Sequence, residues 1–231
     1  MENFSKEIKA LSKKKESRLV LALDVDPPFL HKFFRLSSSI LAFKLNLPLL
    51  ITLSLKEIKA LIDKAKDLEI LTIADIKLND IGNTNLKVAN LLWDLGFDAL
   101  IVNPIVGYED GLKEVIEGAK KLGKGIINLV YMSHKGAEEF YLSLYQKFLE
   151  KSLLWGVDGI VVGATNLKIL EEVSKKVKGK LLIFSPGIGF QGGKAKEAIK
   201  KGSDFIIVGR SILESEEPEV MAEKIRQESW S

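Results

Sequence analysis

The chain has 231 residues, 46% hydrophobic and 28% charged, and its 34 Lys and Arg against 31 Asp and Glu leave a formal charge of +3. That length fits one large domain or two small ones, and a charge so near balance, with no basic tail or face, does not imply nucleic acid as a partner. The lack of cysteine removes disulfides and thiolate metal sites, and no stretch approaches the roughly 18 apolar residues of a membrane span or the core of a signal peptide, so a cytoplasmic protein is expected.

In chain order, the charged residues 1–17 read as a helix ahead of the first strand, with Lys13, Lys14 and Lys15 on its solvated face. Short β-rich runs then recur at Leu19–Asp24, Ile40–Lys44, Ile70–Ile76, Ala99–Asn103, Gly125–Val130, Gly159–Val162, Leu181–Ser185 and Phe205–Val208. Several are almost continuously apolar, as parallel strands covered on both faces are. Between them lie amphipathic stretches with helix-start signals. Ser54-Leu55-Lys56-Glu57 is a capping-box pattern, followed by a stripe of Leu55, Ile58, Leu61, Ile62 and Ala65. Asn83 or Thr84 is expected to open the next helix, with Val88, Leu91, Leu92 and Leu95 on one face; Asn166 opens another, with Leu167, Leu170, Val173 and Val177. Eight strand–helix units in one chain of this length predict a single-domain (β/α)8 TIM barrel spanning 1–231, a fold of about 250 residues; a doubly wound open sheet is the alternative.

In such a barrel the site forms at the carboxyl ends of the strands. Those ends carry Asp24, Lys44, then Asp75 and Lys77 with Asp80 beyond, Asn103, Ser133, Ser185-Pro186-Gly187, and Gly209-Arg210. Charged groups gather from strands one to three, and glycines with an arginine from strands seven and eight. Asp75 and Lys77 lie two apart on a strand and so share a face, toward whatever Ile73 and Ile76 help to enclose. Such a cluster is either a catalytic charge array or a buried ion pair that only stabilises. Gly187-Ile188-Gly189-Phe190-Gln191-Gly192 satisfies GxGxxG. A dinucleotide site would place that pattern in a first βα turn with an acid about 20 residues on; here it belongs to the seventh unit and the next strand ends in Gly209-Arg210. A phosphate monoester fits these loops better, the other reading being turn glycines and a surface arginine.

Together these residues resemble the orotidine 5′-phosphate decarboxylase family along nearly the whole chain. The resemblance rests on Leu21-Ala22-Leu23-Asp24, Phe43-Lys44, Ala74-Asp75-Ile76-Lys77 with Asp80-Ile81-Gly82-Asn83-Thr84, Met132-Ser133-His134, Ser185 to Gly189 with Gln191-Gly192-Gly193, and Val208-Gly209-Arg210-Ser211, in the family's order. The DxKxxD pattern also occurs in related metal-dependent sugar-phosphate barrels. Those place an acid at the end of strand two, where this chain has Lys44, a cation that would repel a metal.

The resemblance implies decarboxylation of orotidine 5′-monophosphate to uridine 5′-monophosphate with no cofactor and no metal. It implies Lys44, Asp75, Lys77 and Asp80 as the catalytic array. Asp80 and Thr84, with Ile81 beside them, would reach the substrate in the partner subunit of a homodimer. Asp24 and Lys44 would hold ribose hydroxyls, Ser133 and Gln191 the pyrimidine and phosphate ends, and Arg210 with Pro186, Gly187 and Gly209 the 5′-phosphate. Lys135, where a proline is common, and Asn46, where a glycine is common, depart from the family pattern and bear on loop rigidity and closure.

Overall fold

The structure, a computed structural model, describes residues 3–25, 27–189 and 191–230. Eight parallel strands pair in sequence order and the last pairs with the first, closing a barrel: β1 Leu19–Leu23, β2 Ala42–Asn46, β3 Leu71–Leu78, β4 Ala99–Val102, β5 Gly125–Tyr131, β6 Gly159–Val162, β7 Leu182–Pro186 and β8 Phe205–Val208. Around them run α2 (Leu47–Thr52), α3 (Leu55–Asp67), α4 (Gly82–Leu95), α5 (Lys113–Leu122), α6 (Ala137–Trp155), α7 (Leu167–Val177), α8 (Ala195–Lys200), α9 (Arg210–Leu213) and α10 (Pro218–Trp230), after an initial α1 (Phe4–Lys15). This is the (β/α)8 architecture expected from the alternation of apolar runs. Among the described residues no helix is long and apolar enough to cross a membrane.

The near-continuous apolar strands are explained by two separate apolar layers. Val20, Ala22, Ala42, Ile73, Ile101, Leu129, Val161 and Phe184 fill the barrel interior. Leu19, Leu21, Leu23, Phe43, Leu45, Ala74 and Leu100 pack outward against the helices. Alternate residues of one strand therefore serve opposite layers, and both must be apolar. Helix α1 seals the amino-terminal end. Its Phe4 and Ile8 join the interior layer, and the Phe4 ring stacks on Phe184 at 6.4 Å between centroids. Burying Phe4 stabilises this plug by roughly 1.5–3 kcal/mol. Lys15, at the end of the helix, donates to the carbonyls of Ser37, Ile40 and Glu69, tying the plug to the starts of β2 and β3. With that end closed, access to the interior lies at the carboxyl ends.

The same end carries a repeated device. Asp98, Asp158 and Asp204 precede β4, β6 and β8, and each accepts a backbone N–H from the preceding strand, of Thr72, Ile126 and Ile183 respectively. Each aspartate donates its own N–H back to the same residue's carbonyl. Strand pairs 3–4, 5–6 and 7–8 are thereby set in register. Burial raises the Asp204 carboxyl above its ordinary value, opposed by the Ile183 N–H and by Lys9 and Arg18.

Several sequence expectations are corrected. The second strand is Ala42–Asn46, so Lys44 lies mid-strand; residues 37–40 are used by turns closing on Phe34 and Leu36. The third strand continues to Leu78 and includes Lys77. Ser54 and Glu57 do form the capping box of α3, but Leu55 is exposed, and the buried stripe of that helix is Ile58, Leu61, Ile62 and Ala65. Helix α4 starts at Gly82 behind Ile81, earlier than Asn83 or Thr84. Its buried face is Asn85, Ala89, Leu92, Trp93 and Leu95, and Leu91 is exposed. Asn166 caps α7 as expected, accepting from the Ile169 N–H.

Candidate active site

A cavity of about 220 Å³ opens at the carboxyl ends of the strands. Ala22, Ile101, Leu129, Val161 and Ile207, the last interior layer of β1, β4, β5, β6 and β8, make its floor. Above that aliphatic floor stand Asp24, Lys44, Asp75 and Lys77 on one side. Met132, Ser133, Pro186, Gly187, Ile188, Gln191, Gly209 and Arg210 complete the wall.

Strand register brings the charges together. Asn46 pairs with Asp75 and Lys44 with Ile73, so Lys44 and Asp75 project from neighbouring strands into the same layer. Lys44 Nζ lies 2.6 Å from Asp75 Oδ2, and both side chains are 9% exposed. Lys77 Nζ lies 2.7 Å from the other oxygen, Oδ1, and is 37% exposed. Burial pushes the Asp75 carboxyl up, but the Lys44 and Lys77 ammoniums outweigh it and hold the group below its ordinary value. One carboxylate, Asp75, is thus shared by two ammoniums, and the cavity lining as a whole sets Asp24 and Asp75 against Lys44, Lys77 and Arg210, a local positive excess.

Lys77 is also special in its backbone. Its φ of +48° is left-handed, uncommon for a residue other than glycine, and it falls where the pairing of β3 with β4 shifts register between Ala74 and Leu78. The bulge keeps Lys77 aimed into the cavity. Ile76, expected to help enclose the site, instead packs against the outer layer, because strand alternation turns it away from Ile73.

The opposite wall is built from tight glycine turns. Gly189 N–H donates to Gly193 O, Gly192 N–H to Gly189 O and Gly193 N–H to Gly187 O. Gly187 has φ of +95°, and a Cβ there would meet Gln191 Oε1 at 3.0 Å and Ser133 Cβ at 3.2 Å. A side chain at this position would crowd Gln191 and Ser133, both of which line the cavity. Phe190 of the GxGxxG stretch lies outside the described residues. Asp24 stands just past β1, near the Gly209 backbone.

Comparison with known proteins identifies what this arrangement belongs to. The model of the orotidine 5′-phosphate decarboxylase / HUMPS family matches residues 17–225. The chain belongs to this family. A Pyrococcus abyssi relative, named orotidine 5′-phosphate decarboxylase, is 40% identical over 212 residues, covering 91% of this chain and 98% of its own. A relative of the same name from Methanosarcina mazei is 35% identical over 214 residues, covering 91% and 94%. Among solved structures, the orotidine 5′-monophosphate decarboxylase of Sulfolobus solfataricus superposes with a TM-score of 0.81 at 26% identity, over 92% of this chain and 97% of that one. The enzyme of Methanocaldococcus jannaschii, solved with the inhibitor BMP, gives 0.80 at 32% identity over 92% and 98%.

For this member of the decarboxylase family, ten of the site residues expected from sequence line the one cavity: Asp24, Lys44, Asp75, Lys77, Ser133, Pro186, Gly187, Gln191, Gly209 and Arg210. Asp80, Ile81 and Thr84 do not line it; all three are exposed beyond the end of β3. Asn103 does not line it either; it caps the following turn, accepting from Ile105 N–H. Sequence reasoning left out Met132, Ile188 and the floor. The period-two alternation of β4, β5, β6 and β8 would have found the floor once those strands were known to close on each other. Asn46, the departure from the family pattern, caps α2 by accepting from Leu49 N–H. Lys135 is exposed in the segment after β5.

Proposed function

We propose that this chain, as a single cytoplasmic (β/α)8 domain, converts orotidine 5′-monophosphate to uridine 5′-monophosphate and CO2 without metal or organic cofactor. The observation that carries this reading is the Lys44–Asp75–Lys77 array over an aliphatic floor. Breaking the bond from C6 to the carboxylate leaves an electron pair in the plane of the uracil ring, where no conjugation can spread it. Only nearby positive charge can stabilise it, and charge acts most strongly in a desolvated cavity. Lys77 stands beside C6 in this reading, lowers the energy of the developing carbanion and then donates its proton there. The neutral CO2 departs over the floor of Ile101, Leu129, Val161 and Ile207, which offers an anionic carboxylate no hydrogen bond.

Asp24 and Lys44 hold the ribose hydroxyls, and Ser133 and Gln191 meet the pyrimidine and phosphate ends. Arg210 and the Gly187 and Gly209 backbone, next to Pro186, hold the phosphate. Binding energy at that phosphate is available to lower the barrier at C6. The related metal-dependent reading is disfavoured by the Lys44 ammonium, which occupies the Asp75 oxygen that a cation would need.

We further propose a homodimer in which Asp80, Ile81 and Thr84 enter the partner's cavity. They are exposed in their own subunit, and the neighbouring connections present Leu47, Ile51 and Ile105 to solvent. A carboxylate from the partner would offset the positive excess left by two ammoniums on one aspartate. The deciding experiment is an absorbance assay of orotidylate loss after exhaustive chelation. Full turnover is expected; a strict requirement for added Mg²⁺ would transfer the chain to the metal-dependent group. Lys77→Ala is expected to lose at least about a thousandfold in kcat while retaining nucleotide binding.

A further inference from the structure

We propose that Asn85 is a positioning residue for Asp80, a buried amide that holds the segment after β3 in the one arrangement from which Asp80 can reach a second subunit. The inference rests on the reading of Asp80 given above and adds a residue to it. Asn85 sits in the first turn of α4 and is fully buried. Its Oδ1 accepts from the Asp80 N–H at 3.2 Å, and its Nδ2 donates to the Asp80 carbonyl at 2.5 Å and to the Gly111 carbonyl at 3.1 Å. One side chain therefore grips both polar groups of the Asp80 backbone and bolts them to the connection between β4 and α5.

The packing around this amide has no slack. A Cβ on Gly82 would lie 3.0 Å from the Asp110 carbonyl carbon, and one on Gly111 would lie 2.8 Å from Val106 O. Gly82 thus lets the start of α4 approach the β4–α5 connection backbone to backbone, Gly111 lets that connection fold tightly on itself, and Asn85 bonds across to it. The Asp80 carboxylate is oriented by the neighbouring Ile81 N–H, which donates to its Oδ1 at 2.7 Å. Helix α4 has no side chain capping its first turn from Ile81. Asn85 is therefore the long-range anchor of an otherwise exposed acidic segment. A reacting group displaced by 1 Å costs about a hundredfold in rate. Removing the anchor should be read in kcat.

A buried amide of this kind could also serve stability alone, and a double-mutant cycle separates the two roles. Full-length wild type, Asn85→Ala, Asp80→Asn and the double variant are compared for kcat on orotidylate and for affinity for uridine 5′-monophosphate. Asn85→Ala is expected to lower kcat about 10–100-fold with nucleotide affinity nearly unchanged, and to lower it less than about threefold when Asp80 is already Asn. An equal loss in both backgrounds, or no loss in either, overturns the proposal. Should Asn85→Ala not fold, Gly111→Ala, which displaces the carbonyl that Asn85 holds, enters the same cycle with the same expectations. Wild-type turnover by Asp80→Asn would instead overturn the role of Asp80, and an inactive wild type the activity itself. Those outcomes are distinct from an additive cycle.

Discussion

Thr165 Oγ1 donates a hydrogen bond to the carbonyl of Ser133 at 3.0 Å, so the segment after β6 holds the segment after β5 at the cavity wall. The same threonine places its methyl where a Cβ on Gly187 would meet it at 3.1 Å. Thr165 thus stands between two segments that line the cavity. Thr165→Val keeps the shape and removes the donor. The expected result is a rise in KM of about three- to tenfold, equivalent to one ordinary hydrogen bond of roughly 0.5–1.5 kcal/mol, with the midpoint of thermal unfolding nearly unchanged because the residue is exposed. Steady-state kinetics beside a melting curve checks both halves.

Gly163 lies directly beneath Ser133. A Cβ there would come 2.8 Å from Ser133 Cα and 2.9 Å from its nitrogen, both backbone atoms that cannot rotate aside. Gly163→Ala is expected to cost about 1–3 kcal/mol by overpacking and to lower kcat/KM by moving Ser133. Urea unfolding with a wild-type midpoint, together with wild-type kinetics, would show that the wall yields freely.

Asp75 links the site to acid stability. Its carboxyl is held low because Lys44 and Lys77 outweigh the effect of burial. A depressed carboxyl pKa means that the folded state binds fewer protons than the unfolded one. Its contribution is therefore fully present above about pH 4, the ordinary aspartate value, and is lost as pH falls below that. Asp75→Asn deprives two buried or half-buried ammoniums of the carboxylate they share, at a cost of about 3 kcal/mol near neutrality. Urea titrations from pH 3 to 7 should show the gap between wild type and variant shrinking below about pH 4; a constant gap would mean that the carboxylate is not what the ammoniums stabilise.

Contribution across a subunit boundary has its own signature. Lys77→Ala and Asp80→Asn homodimers should each be nearly inactive. Mixed and re-equilibrated, they should regain up to about a quarter of wild-type turnover, because half the dimers are hybrids and each hybrid has one site with both residues. Heterodimers shown to form by differential tagging, yet without recovered turnover, would place Asp80 in its own subunit's site.

The amino-acid sequence alone determined the strand periodicity, the barrel and the list of polar residues at its carboxyl end. Runs such as Leu19–Leu23 and Ala99–Val102 need cover on both faces, and only parallel strands inside a shell of helices provide it. The DxKxxD spacing likewise placed Asp75 and Lys77 on one face by local geometry. Tertiary structure decided what depends on segments far apart in the chain. It set the register that seats Lys44 against Asp75 and the bulge that gives Lys77 a positive φ. It also separated the floor-forming Ile101 and Ile207 from outward residues of the same composition, and put Asp80 outside its own cavity under the grip of Asn85. Pairing between segments distant in sequence is the physical reason: it sets the partners of each side chain, and the meeting of the eighth strand with the first gathers them around one cavity.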